Sequence, residues 1–541
     1  MPLFAKGSNH VCSERLGPFI RESATVDHHN TESTQADVIA FLSNPSAHGE
    51  KEPPSIHETH GSIVFLTGSH AYKLKRDVKF PYMDYSTPAL RKAMCLRELE
   101  VNKRMAPEIY EGVRGIVANG DGLTFGEVDD PRAIDWVVVM KRFSQENLLE
   151  ERRKAGTLAI GEMRALGEAI ATFHRSAEQI RSHGGADGMR RVVDENVTLL
   201  RDAPGLSKDA VARYAEFSET WLQRLAPALE RRREQGLVRR CHGDLHLNNV
   251  CMLDGKPMLF DAIEFADGFS CIDVGYDIAF TLMDLDSRDL RPHANALLNR
   301  YLERFDDIAM VECLPLFLSC RAAIRSHVAV AAERAGAQPD QGRSRHLLDL
   351  AVSYLEPRPP RLIAIGGLSG TGKTTIAQGL APSVGAAPGA IILRSDVARK
   401  AMLGVPETAR LEGDAYSATG VREVYKRIFG QAQSIAQLGH AVIVDATFIS
   451  EEERRLVRDA AEAANVPFTG LWLEAPRDVL EQRLRERRGD ASDADTAVLA
   501  KQLQNASVPR DWLKIDASGP VRDVVRAARG MQNAATVSGE I

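Results

Sequence analysis

The run Cys241-His-Gly-Asp-Leu-His-Leu-Asn-Asn249, followed after a short turn by Met258-Leu-Phe-Asp261, sets an aspartate, an asparagine five residues later and a second aspartate on the next apolar stretch. That set suits phosphoryl transfer: Asp244 can accept the proton of an attacking hydroxyl, while Asn249 and Asp261 can bind the metal ions that bridge the phosphates of ATP. His242 and His246 have H-x-x-x-H spacing, but a single such pair in a loop reads as hydrogen-bonded scaffold and not as metal ligands. Much further along, Gly367-Leu-Ser-Gly-Thr-Gly-Lys-Thr374 fits G-x-x-x-x-G-K-[ST] between a strand-like run at 362–365 and a helix-like run at 374–380. Its glycines let backbone amides turn inward around phosphate oxygens, with the partial positive charge of a helix start behind them. Gly367, Ser369, Gly370, Thr371, Gly372, Lys373, Thr374 and Thr375 are therefore candidate nucleotide-binding residues; Lys373 reaches the outer phosphates and the Thr374 hydroxyl can ligate Mg2+.

Three further features accompany the phosphate loop. In Arg394-Ser-Asp-Val-Ala-Arg-Lys400, Asp396 and Arg399 are three apart and share a face if a helix begins there. Asp396 could take a proton from an acceptor hydroxyl while Arg399 holds that acceptor, although Ser395 or Asp396 would also make a good helix cap. Val-Ile-Val-Asp445 is an apolar strand ending in an acid, the usual place of the residue that holds the magnesium water shell. Arg483, Arg487 and Arg488 precede a polar segment; on a closing lid they would neutralise a transferring phosphoryl group, and otherwise they form a solvated face.

Elements must position these groups. Residues 63–75 alternate around Thr-Gly-Ser, which predicts two short strands joined at Gly68 and puts Lys73 and Lys75 on one face. Either lysine could clamp nucleotide phosphates while pairing with Glu98, on a helix that apolar spacing predicts over 88–105. Residues 136–140 predict a buried strand, and helical patterns cover 157–182, 207–235 and 288–355. The prolines of 356–360 end the last helix and mark the main boundary. The expected organisation is a mobile tail over 1–35, a first domain over 36–355, a linker over 356–360 and a second domain over 361–535. In the second, strand-like runs at 362–365, 391–393, 441–444 and 469–473 alternate with amphipathic helices, the signature of an α/β fold with a parallel sheet.

Composition narrows the partners. The chain has 541 residues with 68 Lys plus Arg against 74 Asp plus Glu, a formal charge of -6, which argues against nucleic acid as the primary ligand. Its seven cysteines are odd in number and contain no C-x-x-C pair, so they read as reduced thiols. No run reaches about 18 uncharged apolar residues and the amino terminus carries no signal pattern, so the expected partners exclude membranes and the expected location is the cytoplasm.

The His-Gly-Asp244 loop, Asn249 and Asp261 resemble the aminoglycoside phosphotransferase and choline kinase group over about 60–286. The resemblance implies an α+β, bilobal, protein kinase-like fold, Lys73 paired with Glu98, an adenine-facing hinge at 137–143, and fold-stabilising roles for Asp273 and Asp277. The turn at Gly68 departs from the full glycine-rich loop of kinases. Residues 361–530 resemble small-molecule and polynucleotide-end kinases among P-loop proteins, of the gluconate kinase and zeta toxin type. The order of the halves resembles a family of bacterial fusions of a phosphotransferase domain with an AAA-like ATP-binding domain, spanning nearly the whole chain. The implied activity is a bifunctional ATP- and Mg2+-dependent kinase acting on hydroxyls of small molecules, with a sugar, amino sugar or amino alcohol ranked equally. The alternative is a metabolite-sensing regulator with a pseudokinase half and a nucleotide-switch ATPase half.

Overall fold

A computed structural model of the chain describes residues 32–80, 82–120, 122–334, 342–411, 417–486 and 491–538. The tail expected over 1–35 lies almost wholly outside them. Two compact units arise, one of residues up to Asp289 with Leu316–Glu356, the other of Leu290–Pro315 with residues from Pro357 onward.

The first unit begins with a six-stranded antiparallel sheet in the order Ser55–Glu58, Ser62–Leu66, His70–Lys75, Ala133–Lys141, Tyr110–Asn119, Gly122–Gly126. Strand alternation sorts its two faces. Val64, Val138 and Met140 point to a core completed by Cys95 of the helix Pro88–Lys103 and by Phe260, whereas Ile63, Phe65, Leu74 and Val137 pack under Val38 and Leu42 of the helix Glu32–Ser43. Lys73 pairs in register with Val64 and Val138, so it emerges on the Pro88–Lys103 side. Thr87 caps that helix and Pro88 starts it, which fixes where Glu98 stands relative to the strand. The outer strands Tyr110–Asn119 and Gly122–Gly126 escape the sequence pattern because four glycines interrupt their apolar residues.

Helices complete this unit. Ser207 caps Lys208–Glu234 close to its expected start, and Ile160–Ser176 falls inside its expected range. Gly185–Asp202 falls in no expected helical range: its two glycines and seven charged residues surround a short apolar face on which Met189, Val193 and Leu200 are buried. The helical stretch expected over 288–355 consists of three helices, Arg291–Arg304, Met310–Arg334 and Arg343–Leu355. Met310–Arg334 is long and apolar enough to cross a membrane by length and composition, yet 83% of its most apolar window is buried in the fold, as befits a core helix. Among the described residues six cysteines are free, and all are buried.

In the second unit five parallel strands run in the order Ile391–Arg394, Val442–Asp445, Leu362–Gly367, Phe468–Glu474, Leu513–Asp516. The last is a strand the sequence does not announce, since Leu513 and Ile515 are its only apolar residues. Leu362–Gly367 lies where the strand order reverses, and ligands of such sheets bind at the carboxyl ends of the strands there. Register aligns Ile365 and Arg394 with Asp445, bringing three strand ends to one edge. The helix Arg291–Arg304 belongs to this unit: the Asn299 side chain accepts from the Ile392 amide at 2.7 Å, and Asn295 donates to the Ala390 carbonyl at 3.1 Å.

Candidate active sites

In the first unit both lysines of the sheet reach the same acid. Lys73 Nζ donates to Glu98 Oε1 at 2.6 Å and to Asp261 Oδ1 at 2.8 Å, while Lys75 pairs with Glu98 and with Glu264. Of the two lysines, it is Lys73 that bonds Asp261. Burial opposes the charge on Glu98, but the two ammonium groups outweigh it and hold the carboxyl below its ordinary range. Lys75, with Glu264 and Tyr85, is a buried brace beside the site, a role the sequence leaves open. Residues 137–141 sit in the strand that pairs with the Lys73 strand, and Phe143 just beyond packs edge-on against Phe260.

The loop carrying Asp244 is shaped from below by Asp277. Its carboxylate accepts from the amides of His242 and Gly243 at 3.1 and 2.8 Å and pairs with His174 at 3.1 Å. Burial disfavours its ionised form, yet His174, with His242 and Arg321 nearby, holds its pKa down. Gly243 is required there: at φ 81° a Cβ would lie 2.7 Å from the Phe269 carbonyl oxygen. Asp277→Ala would leave buried donors unmatched and should lower the unfolding free energy by about 3–5 kcal/mol; equilibrium denaturation measures it, and an unchanged midpoint would contradict this account. His242 faces the Phe260 carbonyl at 3.0 Å, which agrees with scaffold.

Above this support, Asn249 Nδ2 donates to the Asp244 carbonyl at 2.9 Å and to its Oδ2 at 3.0 Å. Asn249 Oδ1 is buried and meets no donor from the described protein, so an oxygen is left for a cation. Asp261 is held at φ 64°, a left-handed conformation rare outside glycine, while its amide donates to the Tyr110 hydroxyl at 3.1 Å. Two cavities meet at Asp244. One, of about 40 Å³, is bounded by Thr59, Gly61, Ser62, Lys73 and Asp261; the other, of about 300 Å³, shares Asp244 and Ile263 with it and is walled largely by apolar side chains. The turn over the first cavity is therefore Thr59–Ser62, one hairpin earlier than the turn at Gly68. Gly68 instead donates its amide to Glu50 at 2.7 Å. A Thr-His-Gly-Ser turn ahead of an apolar strand was the available signal.

In the second unit the strand Leu362–Gly367 runs into the phosphate loop and the helix Lys373–Leu380. Gly367, Gly370 and Gly372 all have positive φ, and a Cβ on Gly370 would lie 2.9 Å from the Leu480 carbonyl. The Ser369 amide donates to Gln502 Oε1 at 2.8 Å, Thr371 Oγ1 to the Leu368 carbonyl at 2.8 Å, and Lys373 Nζ to the same carbonyl at 3.1 Å. Thr374 Oγ1 donates to Asp445 Oδ2 at 2.6 Å, so a hydroxyl and a carboxylate stand together, a pair that suits Mg2+ and its water shell. Burial pushes the Asp445 carboxyl up against the pull of Arg394 and Lys373. Thr375 lies exposed in the helix's first turn.

Asp396 and Arg399 form an ion pair at 2.9 Å on the helix Ser395–Met402. Arg394 occupies the cap position and no side chain caps that helix, so neither Ser395 nor Asp396 has the alternative structural role. Arg394 stands 3.8 Å from Asp445 and 3.6 Å from Glu407, a carboxylate that also holds Arg300 at 2.5 Å. Lys400 bonds Asp493 at 3.1 Å. This basic cluster was not assigned from sequence, because Arg300 and Glu407 come from segments far apart. Arg483 donates to the Ser518 carbonyl at 3.4 Å, and the sequence-predicted Arg487, with Arg488, lies outside the described residues.

Comparisons with known proteins agree with both halves. Residues 138–312 match the phosphotransferase enzyme family and residues 362–509 match an AAA domain. An uncharacterized protein of Mycobacterium tuberculosis is 30% identical over 491 residues, 88% of this chain and 95% of the relative. Among solved structures, a choline/ethanolamine kinase family protein from Mesorhizobium loti covers 60% of this chain and 95% of its own, at 14% identity and TM-score 0.38. A gluconokinase from Sinorhizobium meliloti covers 32% and 91%, at 22% identity and TM-score 0.24. The chain belongs to the same family as the mycobacterial protein, a fusion of a phosphotransferase-family domain with a P-loop AAA-type domain, and it is a kinase-class enzyme.

Proposed function

We propose that the chain is a bifunctional phosphotransferase, each half passing the γ-phosphoryl group of ATP to a hydroxyl of a small molecule in the cytoplasm. The observation that carries the reading is Asp244, which lines both the cavity holding Lys73 and Asp261 and the larger apolar cavity. A base between a phosphate pocket and a second pocket can serve a hydroxyl entering from the second side. The acceptor oxygen bonds to the γ-phosphorus, the bond from that phosphorus to the β,γ-bridging oxygen breaks, Asp244 takes the hydroxyl proton, and ADP leaves. Asn249 and Asp261 would hold Mg2+ in this half, and Thr374 with Asp445 in the other; the ion neutralises charge on the phosphates when bound. Lys73, oriented by Glu98, binds phosphate oxygens from above. In the second half Lys373 and the loop amides cradle the phosphates, Asp396 acts as the base and Arg399 orients the acceptor.

Nucleotide stoichiometry tests it. Calorimetric titration of the full chain with a nonhydrolysable ATP analogue and Mg2+ should give two sites per chain, with Lys373→Ala removing one and Asp261→Ala the other. A single site in the wild type would refute the two-site reading and favour the regulatory alternative.

A further inference from the structure

The cavity of about 300 Å³ beside Asp244 is walled by apolar and aromatic side chains, among them Met189, Phe269, Phe280 and Val328. An uncompensated charge in such a wall is costly. Arg321, only 6% exposed, nevertheless lines it from the core helix Met310–Arg334. Its guanidinium lies over Tyr276 and Phe280, 3.9 and 4.7 Å from the ring centroids, and its Nε donates to the Tyr276 carbonyl at 3.1 Å. Stacking accounts for the plane of the group but not for its edge. Arg321 Nη2 is buried without an acceptor, and the Tyr276 hydroxyl is buried without a partner. The hydrogen bonds of the acids nearby go elsewhere, Asp273 to Arg232 at 2.8 Å and Asp277 to His174 and two amides, although the Asp277 charge acts on Arg321 through space. Glu195 also lines the cavity, and burial pushes its carboxyl up to about 7, so near neutral pH it can donate a proton to an anion and need not repel it.

We propose that the acceptor of the first half is a hydroxyl compound with an apolar body and one carboxylate, bound by Arg321 Nη2 and the Tyr276 hydroxyl while its hydroxyl faces Asp244. This rests on the phosphotransfer reading of that site. One guanidinium edge without an acceptor matches one carboxylate; a phosphate dianion would set a second negative charge near Asp244 and Asp273, and an amino alcohol or amino sugar would add a cation to a wall that already holds Arg191, Arg321 and Arg325. The carboxylate makes and breaks no bond in the transfer.

The test uses the full chain with Mg2+ and a nonhydrolysable ATP analogue, and probes that share one flexible skeleton: 6-hydroxyhexanoate, its amide, 6-aminohexan-1-ol and 6-hydroxyhexyl phosphate. Calorimetry should show the carboxylate binding at least about tenfold tighter than the others, the effect of one charge-assisted hydrogen bond. Arg321→Gln should erase that preference with nucleotide affinity unchanged. Tyr276→Phe keeps the ring, loses the hydroxyl and should weaken the carboxylate about threefold; it decides the matter if Arg321→Gln does not fold. Equal binding of the probes, no binding of any, tighter binding of the phosphate or amine, or a preference that survives both substitutions overturns the proposal. Failure of the phosphotransfer reading looks different: the carboxylate preference stands, and none of the probes stimulates ATP consumption.

Discussion

Asp244→Asn should lower transfer by the first half about 10²–10⁴-fold, the range for losing a general base, with ATP affinity close to wild type. Asparagine retains an acceptor oxygen for Asn249 Nδ2, now 3.0 Å from Asp244 Oδ2, so the bonding inside the loop survives while the basicity goes. Asp261→Asn should act otherwise: it weakens the contact with Lys73 and the hold on Mg-ATP, so the loss appears in nucleotide affinity. Both are measured on a Lys373→Ala background, which silences the phosphate loop, as acceptor-dependent ATP consumption beside a nucleotide titration. Wild-type turnover in Asp244→Asn would remove it from the chemistry.

Asp396→Asn makes the matching prediction for the second half and separates a hydroxyl kinase from an ATPase. Since no side chain caps the helix Ser395–Met402, the substitution should leave the fold intact and loosen only the pair with Arg399. ATP binding should persist and transfer should fall by about 10²–10⁴-fold. Hydrolysis to water, which needs no acceptor pocket, would be nearly unaffected. Arg399→Ala, measured alongside in an Asp244→Asn background, should raise the acceptor concentration needed for half-maximal rate. Unaltered transfer in both variants would reduce this half to nucleotide binding.

What could be read from sequence follows from how local each signal is. The phosphate loop occupies eight consecutive residues, and strand, turn and helix around it leave the fold little choice. Asp244, Asn249 and Asp261 fall within one short window, and Lys73 bonds both Glu98 and Asp261 because strand and helix periods already fix the faces of Lys73 and Glu98. The residues that escaped are those joined by pairing over long distances. Thr59–Ser62 becomes the cover only when Ser55–Glu58 pairs with Ser62–Leu66. Arg321 looks like an interruption in an apolar helix until Tyr276 and Phe280 stack on it, and Glu407 is a lone acid until Arg300 reaches it. Leu513–Asp516 is too short and too polar to stand out without its neighbour Phe468–Glu474.

The helix Arg291–Arg304 leaves the ribosome roughly 90 residues before Ile391–Arg394, the strand whose Ile392 amide and preceding Ala390 carbonyl it engages through Asn299 and Asn295. During synthesis the helix, with Leu297, Leu298 and Tyr301 on its buried face, is made before the strand it bonds to in its own unit. A gene fragment beginning after Pro360 would encode the whole phosphate loop yet lack this helix, and would present the Ala390 edge to solvent. Recombination between relatives at the proline-rich segment would likewise separate a helix from the sheet it covers.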